Sequence, residues 1–219
     1  MGDQQLFDVE ALRARRRRWL AVRDVERPVL VLGSTQRPEE VDADVAERTR
    51  TSVVRRRSGG GAVLVEPGRA VWLDTWVPRT DSLFEDDVRR SRAWVGSWWA
   101  DALGGAVAVH SGAPVCTRWS DVVCFAGTAN GEVVVDGRKV VGVSQWRSKE
   151  GALTHALAYE GVDWQLMARL LGLPDEASAE LAATTATLGQ LDPPRDRAGL
   201  IATLLELLPG GGDWDLDSP

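Results

Sequence analysis

A run of arginines leading into three glycines constrains this chain more than any other feature of its sequence. Residues 55–63 read Arg-Arg-Arg-Ser-Gly-Gly-Gly-Ala-Val and lie between the strand-like apolar pieces 51–54 and 62–65. Glycine lacks Cβ, so its backbone can adopt positive φ and its N–H groups can approach a ligand closely. Arginine beside such a loop offers a bidentate fork for phosphate or carboxylate. The segment predicts an anion-binding loop; the alternative is a tight hairpin turn with solvated arginines.

A second segment predicts a hairpin with a lysine just beyond its turn. Two runs rich in valine, 131–135 and 138–145, flank the dipeptide Asp136-Gly137. Asp-Gly between β-branched runs is a strong short-range hairpin signal. Lys139 then enters an apolar strand, which suits either an edge lysine with its amine in water or a lysine directed into a site.

Together these two segments resemble the lipoate–protein ligase family, of the biotin/lipoate protein ligase superfamily. The family loop Arg-Arg-x-Ser-Gly-Gly-Gly-Ala-Val fits residues 55–63 without a gap. Its lysine segment Gly-(Arg/Lys)-Lys-(Val/Ile/Leu)-x-Gly-Ser-Ala fits residues 137–144, with Val-Ser in place of Ser-Ala. Upstream, residues 28–36 are similar to the family's first core strand and its Gly-x-x-Gln turn.

The resemblance implies an activity, its cofactors and its partners. Lipoate or octanoate would be activated by ATP as an acyl-adenylate and attached to one lysine of a lipoyl domain. The acceptor would belong to a 2-oxoacid dehydrogenase E2 subunit or be the glycine-cleavage H protein. Mg²⁺ is expected with ATP and would be held by phosphates and water, without a protein metal site.

Roles for individual residues also follow from the resemblance. Arg56 would contact nucleotide phosphate, and the loop N–H groups would approach the acyl-adenylate. Lys139 would hold phosphate and acyl carbonyl oxygens and polarise the carbonyl. His155, which matches the family histidine, is either a general base near the acceptor amine or a histidine satisfied inside the sheet. Besides Lys139, the binding candidates are Arg56, Ser58, Gly59, Gly60, Gly61, Ala62, Val63, Gly142, Ser144 and His155.

An alternative reaction depends on a cysteine. Cys124, in the segment Val-Val-Cys-Phe, is similar to the nucleophile of the superfamily's octanoyltransferases, which take the acyl group from acyl carrier protein as a thioester. Lys139 beside this thiol would favour the thiolate that attack requires. The other interpretation makes Cys124 a small buried core residue. Cys116 has no comparable context.

Departures from the family pattern keep a third interpretation open. Leu-Val-Glu at residues 64–66 and Gly-Arg at 68–69 replace the usual Tyr-His-Asp and Gly-Asn, and Ala156 replaces a glycine after His155. These changes allow a non-catalytic binder of lipoate or of an acyl carrier domain. Biotin ligation ranks lower because its Gly-Arg-Gly-Arg loop is missing. Only 60 residues follow Tyr159, so the family's accessory domain is expected to be absent, replaced by short helices or supplied by a separate protein.

Composition excludes several classes of function. A net charge of −6 and a pI near 5.1 argue against a general nucleic-acid binder. No apolar run approaches 18 residues, so no membrane span is expected. The N-terminus has no apolar signal core, and the two cysteines lack metal-ligand spacing. We therefore expect a cytoplasmic protein with free thiols.

The pattern of elements predicts an α+β fold, a mixed sheet layered with helices. We divide the chain into an N-terminal basic helix (1–27), a catalytic core (28–160), C-terminal helices (161–209) and a flexible tail (210–219). The basic helix carries arginines at 13 and 15–18, either as a solvated face or as a contact for an acidic or nucleic-acid partner. A helix over 82–103, with a smaller arginine cluster at 89, 90 and 92, and a strand over 121–125 are also predicted. Most of the ten tryptophans are expected in the core and at its margins.

Overall fold

A large sheet organises the protein. The structure, a computed structural model, describes residues 8–88, 90–211 and 214–217. In this part of the chain, neighbouring strands of the large sheet are antiparallel except for the first pair, which is parallel. Its seven strands in spatial order are β10 (Trp214–Asp217), β1 (Arg18–Arg23), β5 (Ala70–Pro78), β9 (Gly151–Tyr159), β8 (Arg138–Arg147), β7 (Val133–Val135) and β6 (Ala108–Val109).

A smaller sheet carries the glycine loop. Its central strand β2 (Val29–Leu32) pairs in parallel with β3 (Ser52–Arg55) and antiparallel with β4 (Val63–Val65). Because β3 and β4 lie on opposite sides of β2, the glycine loop crosses the end of β2. It does not close a hairpin, so the hairpin-turn alternative for residues 55–63 is wrong.

Helices cover both sheets and enclose two main apolar clusters. The helices α3 (Ala93–Leu103) and α6 (Arg197–Glu206) pack on the large sheet. The small sheet is covered by α2 (Ala43–Arg48), α4 (Trp164–Leu170) and α5 (Glu176–Thr184). This mixed sheet with helices confirms the α+β prediction. Within the described residues, no helix is long and apolar enough to cross a membrane.

The tryptophans lie where they were expected. Six of the ten are buried, and the other four are half-buried. Trp98 and Trp99 of α3 belong to the core cluster on the large sheet. The indole N–H of Trp98 donates to the carbonyl of Leu204, which ties α3 to α6. Adjacent tryptophans on this helix therefore serve packing.

The N-terminal basic helix was wrongly predicted. The helix α1 (Val9–Ala14) is only six residues long, and residues 18–23 form strand β1 inside the large sheet. Trp19 and Ala21 pack on one side of that strand in a cluster with Trp76. Several arginines of this region form ion pairs with acidic residues of the same chain, among them Arg15 with Asp217 and Arg18 with Asp81.

The C-terminal tail also differs from its prediction as a flexible segment. Residues 214–217 form β10, which pairs in parallel with β1, and Trp214 is buried. The pairing joins segments almost two hundred positions apart, so no local pattern could indicate it. The division of the remaining chain into a core and C-terminal helices stays a prediction.

Two internal elements were also predicted with the wrong form. The helix expected over 82–103 begins only at Ala93, after a series of turns. Asp81 and Ser91 hydrogen-bond nearby backbone groups there, and such bonds compete with helix formation. The strand expected over 121–125 is a turn that ends in a short 3₁₀ helix, Cys124–Ala126. Arg89 of the predicted arginine cluster lies outside the described residues.

Candidate active site

Close backbone packing shapes the glycine loop. A Cβ on Gly61 would lie 2.6 Å from backbone atoms of Val123, and Gly60 has a φ of +94°. A Cβ on Gly33 would lie 1.8 Å from the carbonyl oxygen of Gly60. The glycines at these places are therefore required by close approach and by positive φ. Ala62 fixes the end of the loop, because its N–H donates to the carbonyl of Val122 over 2.7 Å.

Arg56 lies beneath this loop and not in front of it. The side chain is buried, and its Nη2 donates to the carbonyls of Gly59 (2.8 Å) and Gly61 (2.9 Å). Nε donates to Ser58 Oγ at 3.0 Å, and Nη1 reaches the carbonyl of Val31. Burial lowers the pKa of Arg56 from its usual value. The structure thus gives Arg56 a loop-holding role, while its contact with a nucleotide phosphate stays a prediction.

Lys139 is a buried lysine in an ion pair. It lies near the start of β8 with 2% of its surface exposed, so the solvated edge position is wrong. Its Nζ lies 2.7 Å from Glu132 Oε2 and donates to the carbonyl of Cys124 over 2.6 Å. A lysine ammonium has three N–H groups. Two of them are engaged by these oxygens; Nζ also lies 5.4 Å from the centroid of the Phe125 ring, and the residue lines the larger cavity of the site.

Glu132 holds the lysine by a fixed set of bonds. The carboxylate is buried and accepts from the backbone N–H groups of Ala129 (2.6 Å) and Val143 (3.2 Å) as well as from Lys139. These bonds connect the loop before β7 to the middle of β8. The ammonium therefore has one defined position, which is the pre-organisation that a charge-stabilising group needs.

The serines join the glycine loop to the lysine strand. Ser58 is buried, and its Oγ lies 3.0 Å from the Oγ of Ser144 on β8. Gly142, two residues earlier on β8, leaves room for the neighbouring turn. A Cβ there would lie 3.0 Å from the ring of Phe125 and 3.7 Å from Cys124 Sγ.

Two cavities meet at this place. The larger one, of about 290 Å³, is lined by the three glycines of the loop, Lys139, Glu132 and Arg92. The smaller cavity, of about 30 Å³, is mainly apolar. Its apolar lining includes Val31, Val63, Trp72, Phe125 and Leu157. Arg56, Gly142 and His155 also line it. Cys124 and Ser144 line both. The pair of cavities can receive a molecule with a narrow apolar part and a larger polar part.

The two cysteines are free thiols, as expected. Cys124 is half-buried at the junction of the cavities. Lys139 contacts its backbone carbonyl, and the thiol faces the region of Gly142. Cys116, which had no context in the sequence, is exposed and lines the larger cavity.

His155 is held by a buried carboxylate. Its Nδ1 lies 2.6 Å from Oδ1 of Asp74, which is fully buried on the neighbouring strand β5. Asp74 also accepts from the side chains of Trp72 (2.9 Å) and Arg23 (2.7 Å). The carboxylate thus holds the Nδ1 side of the ring inside the sheet, while Nε2 is buried without a hydrogen bond to the described residues and the residue lines the apolar cavity. Its service as a general base stays a prediction.

Sequence reasoning missed three residues of this site: Glu132, Asp74 and Arg92. Glu132 stands between a glycine and three valines, and an acid in so apolar a strand needs a buried partner. That signal could have linked it to Lys139. Asp74 gives the same signal inside the apolar strand β5. Arg92 gives none, because nothing in its local sequence separates it from the neighbouring arginines.

No curated protein matches the chain, but solved structures and one family model do. The bi-partite lipoate protein ligase of Thermoplasma acidophilum, studied with its E2 lipoyl domain, superposes with a TM-score of 0.68 at 18% identity, covering 95% of this chain and 78% of that one. A lipoate-protein ligase A bound with ATP gives 0.58 at 19% identity, with 92% and 76% covered. Plasmodium falciparum LipL1 in complex with lipoate gives 0.59 at 11% identity, with 91% and 53% covered. The model of the lipoyl protein ligase A/B catalytic domain matches residues 10–192, and the chain belongs to that family.

Proposed function

We propose that this protein attaches lipoate or octanoate to one lysine of a lipoyl domain, through an acyl-adenylate made from ATP. The observation that carries the proposal is the buried ammonium of Lys139, fixed by Glu132 beside a cavity that the glycine loop also lines. Family membership supports an enzyme of the ligase/transferase type. Structures of similar fold bind lipoate and ATP, and one was studied with its E2 lipoyl domain. The lipoyl domain of an E2 subunit or the H protein is therefore the acceptor we propose.

In the first step, a carboxylate oxygen of the fatty acid attacks the α-phosphorus of ATP, and pyrophosphate leaves. The acyl chain would lie along the apolar cavity and place its carboxyl group at the junction formed by Cys124 and Ser144. That cavity holds only about 30 Å³, so its side chains must move apart to admit the chain. The ammonium of Lys139 would bind the phosphate oxygens on which negative charge develops.

In the second step, the amine of the acceptor lysine attacks the acyl carbonyl carbon. The C–N bond forms, the bond to AMP breaks, and the amine gives up a proton. Lys139 would stabilise the carbonyl oxygen as it becomes an oxyanion, and His155, backed by Asp74, is the group in reach of the apolar cavity that could take the proton. Mg²⁺ would enter with ATP and be held by phosphate oxygens and water, since the described residues offer no cluster of His, Cys, Asp and Glu for a metal.

The test is the intact mass of an apo-lipoyl domain after incubation with this protein. One arm contains lipoate with ATP and Mg²⁺, and the other contains octanoyl–acyl carrier protein without ATP. We expect a lipoyl mass gain in the ATP arm. Lys139→Ala should lower its rate by about 10²–10³, the usual cost of one pre-organised donor, while Lys149→Ala, which changes the chain's other and exposed lysine, should have no effect. Full activity of Lys139→Ala would refute the mechanism.

One observation favours a second candidate, transfer from acyl carrier protein through a thioester. Cys124 is half-buried at the junction of the two cavities, where an acyl carbonyl would lie. Its thiolate would attack the carrier thioester and release the carrier thiol, and the acceptor lysine would then attack the enzyme thioester. Cys124→Ala distinguishes the reactions, because the ligase keeps its activity and the transferase loses it. If neither arm gives a mass gain, two interpretations remain: the protein binds without catalysis, or it requires a separate accessory protein.

A further inference from the structure

Arg92 is an arginine that has no ion pair among the described residues. It lies immediately before α3 and lines the 290 Å³ cavity. The side chain is half-buried, and its Nε is inaccessible to solvent and has no hydrogen-bond partner. Its neighbour Arg90, by contrast, is exposed and pairs with Glu85 at 3.1 Å.

The other charges around the cavity do not compensate Arg92. Lys139 and Glu132 neutralise each other at 2.7 Å, and Asp121 is exposed at the rim. Partly buried charges are usually paired, because desolvation without a partner is costly. A guanidinium without an ion pair in the described part of the chain lines the same cavity as the glycine loop and leaves that cavity with an unused cation. An anionic ligand is the natural partner for it.

The placement of Arg92 relative to the two cavities indicates which anion it takes. Cys124 and Ser144 line both cavities, whereas Arg92 lines only the larger one. A fatty acid in the apolar cavity would place its carboxyl group at the junction, and the polar remainder of the reactants would extend into the larger cavity. The anion there is a phosphate group, whose oxygens fit the planar fork of arginine and the N–H groups of a glycine loop.

We propose that Arg92 is a phosphate-binding residue of this site, acting beside Lys139 on the phosphate group of the acyl donor. This inference rests on the proposed function. The phosphate would come from ATP if the protein is a ligase. It would come from the phosphopantetheine arm of the carrier if the protein is a transferase. Both sources carry the phosphate that the guanidinium recognises. Measuring the binding of each phosphate ligand to the protein distinguishes the nucleotide from the carrier arm.

The experiment is calorimetric titration of the whole protein with ATP·Mg²⁺, with 4′-phosphopantetheine and with lipoate. The variants are Arg92→Ala and Arg92→Lys, with Arg90→Ala as the matched control. Charge-assisted hydrogen bonds contribute about 1.5–3 kcal/mol, so Arg92→Ala should weaken one phosphate ligand about 10- to 100-fold. Lipoate affinity and thermal stability should not change. Arg92→Lys should restore part of the affinity, because it keeps the charge and loses the fork.

The outcomes separate this proposal from the proposed function. Weaker ATP binding assigns the phosphate to the nucleotide, and weaker phosphopantetheine binding assigns it to the carrier. Either result holds even if the wild-type protein modifies no lipoyl domain. Unchanged phosphate affinity in Arg92→Ala, an equal loss of lipoate affinity, or no binding of either phosphate ligand by the wild type would overturn the role of Arg92.

Discussion

Removing one partner of the Glu132–Lys139 pair should destabilise the protein strongly. Each residue has only 2% of its surface exposed, and the ammonium lies 2.7 Å from the carboxylate. Glu132→Gln would leave a buried ammonium with neutral acceptors only, the amide oxygen of the new side chain and the carbonyl of Cys124, and with no carboxylate to neutralise it. Breaking a buried pair in this way usually costs about 3–5 kcal/mol, because the remaining charge is desolvated without compensation.

The two single variants and their combination should differ in a defined way. Lys139→Met leaves Glu132 charged, but the carboxylate keeps its bonds from the N–H groups of Ala129 and Val143. We therefore expect its loss at about 3 kcal/mol, the lower end of that range. The double variant Glu132→Gln with Lys139→Met removes both charges of this pair. Its loss should fall below the sum of the two single losses by about 2 kcal/mol or more.

Urea unfolding followed by tryptophan fluorescence measures these free energies. The ten tryptophans supply the signal, and Lys149→Met, at an exposed position, is the control expected to change stability by less than about 0.5 kcal/mol. If the two single losses add within about 0.5 kcal/mol, the two charges are not coupled. Glu132 would then not be the residue that fixes the ammonium for catalysis.

Two further predictions concern the loop and the single tyrosine. Gly33→Ala should destabilise the protein by about 1–3 kcal/mol, because the new Cβ meets the carbonyl of Gly60. The control Gly59→Ala should change thermal stability little, because a Cβ there meets no atom within 4 Å. Equal losses of stability in the two variants would contradict this expectation. Burial raises the pKa of Tyr159 well above its usual value of about 10. The unfolded chain loses this proton first as pH rises, so stability is unaffected below pH 10 and falls above it. Ultraviolet titration at 295 nm should show no tyrosinate until the protein unfolds. Ionisation of Tyr159 near pH 10 in the folded protein would show that burial does not raise its pKa.

Segments with short-range signals were predicted well from the sequence. The dipeptide Asp136-Gly137 joins β7 to β8 as expected, and both residues adopt positive φ. Lys139 then enters the strand at the predicted place. The glycine loop was also located correctly between two strands, while its binding of an anion stays a prediction. In these segments the information lies within a few residues of the feature itself.

Features that depend on distant partners could not be predicted. β1 carries the arginine-rich pattern of a solvated helix, and its conversion to a strand depends on pairing with β5 and β10. Arg92 and Arg90 look alike in sequence, yet only Arg92 lines the larger cavity. The burial of Glu132 likewise depends on the lysine seven residues later and on the backbone of Val143. Tertiary contacts decide these outcomes, and no local propensity encodes them.

Arg56 shows how a correctly recognised motif can act by an indirect route. Its Nη2 holds the carbonyls of Gly59 and Gly61 beneath the loop. Across a planar trans peptide, the carbonyl of one residue and the N–H of the next point in opposite directions. The carbonyl of Gly61 accepts from Arg56, and the N–H of Ala62 accordingly donates away from Arg56, to the carbonyl of Val122. The N–H of Gly60 is turned away from Arg56 by the same geometry, and the glycine loop lines the larger cavity. We therefore expect Arg56 to support anion binding indirectly, by orienting a backbone donor, and the cations proposed to contact the ligand directly are Lys139 and Arg92.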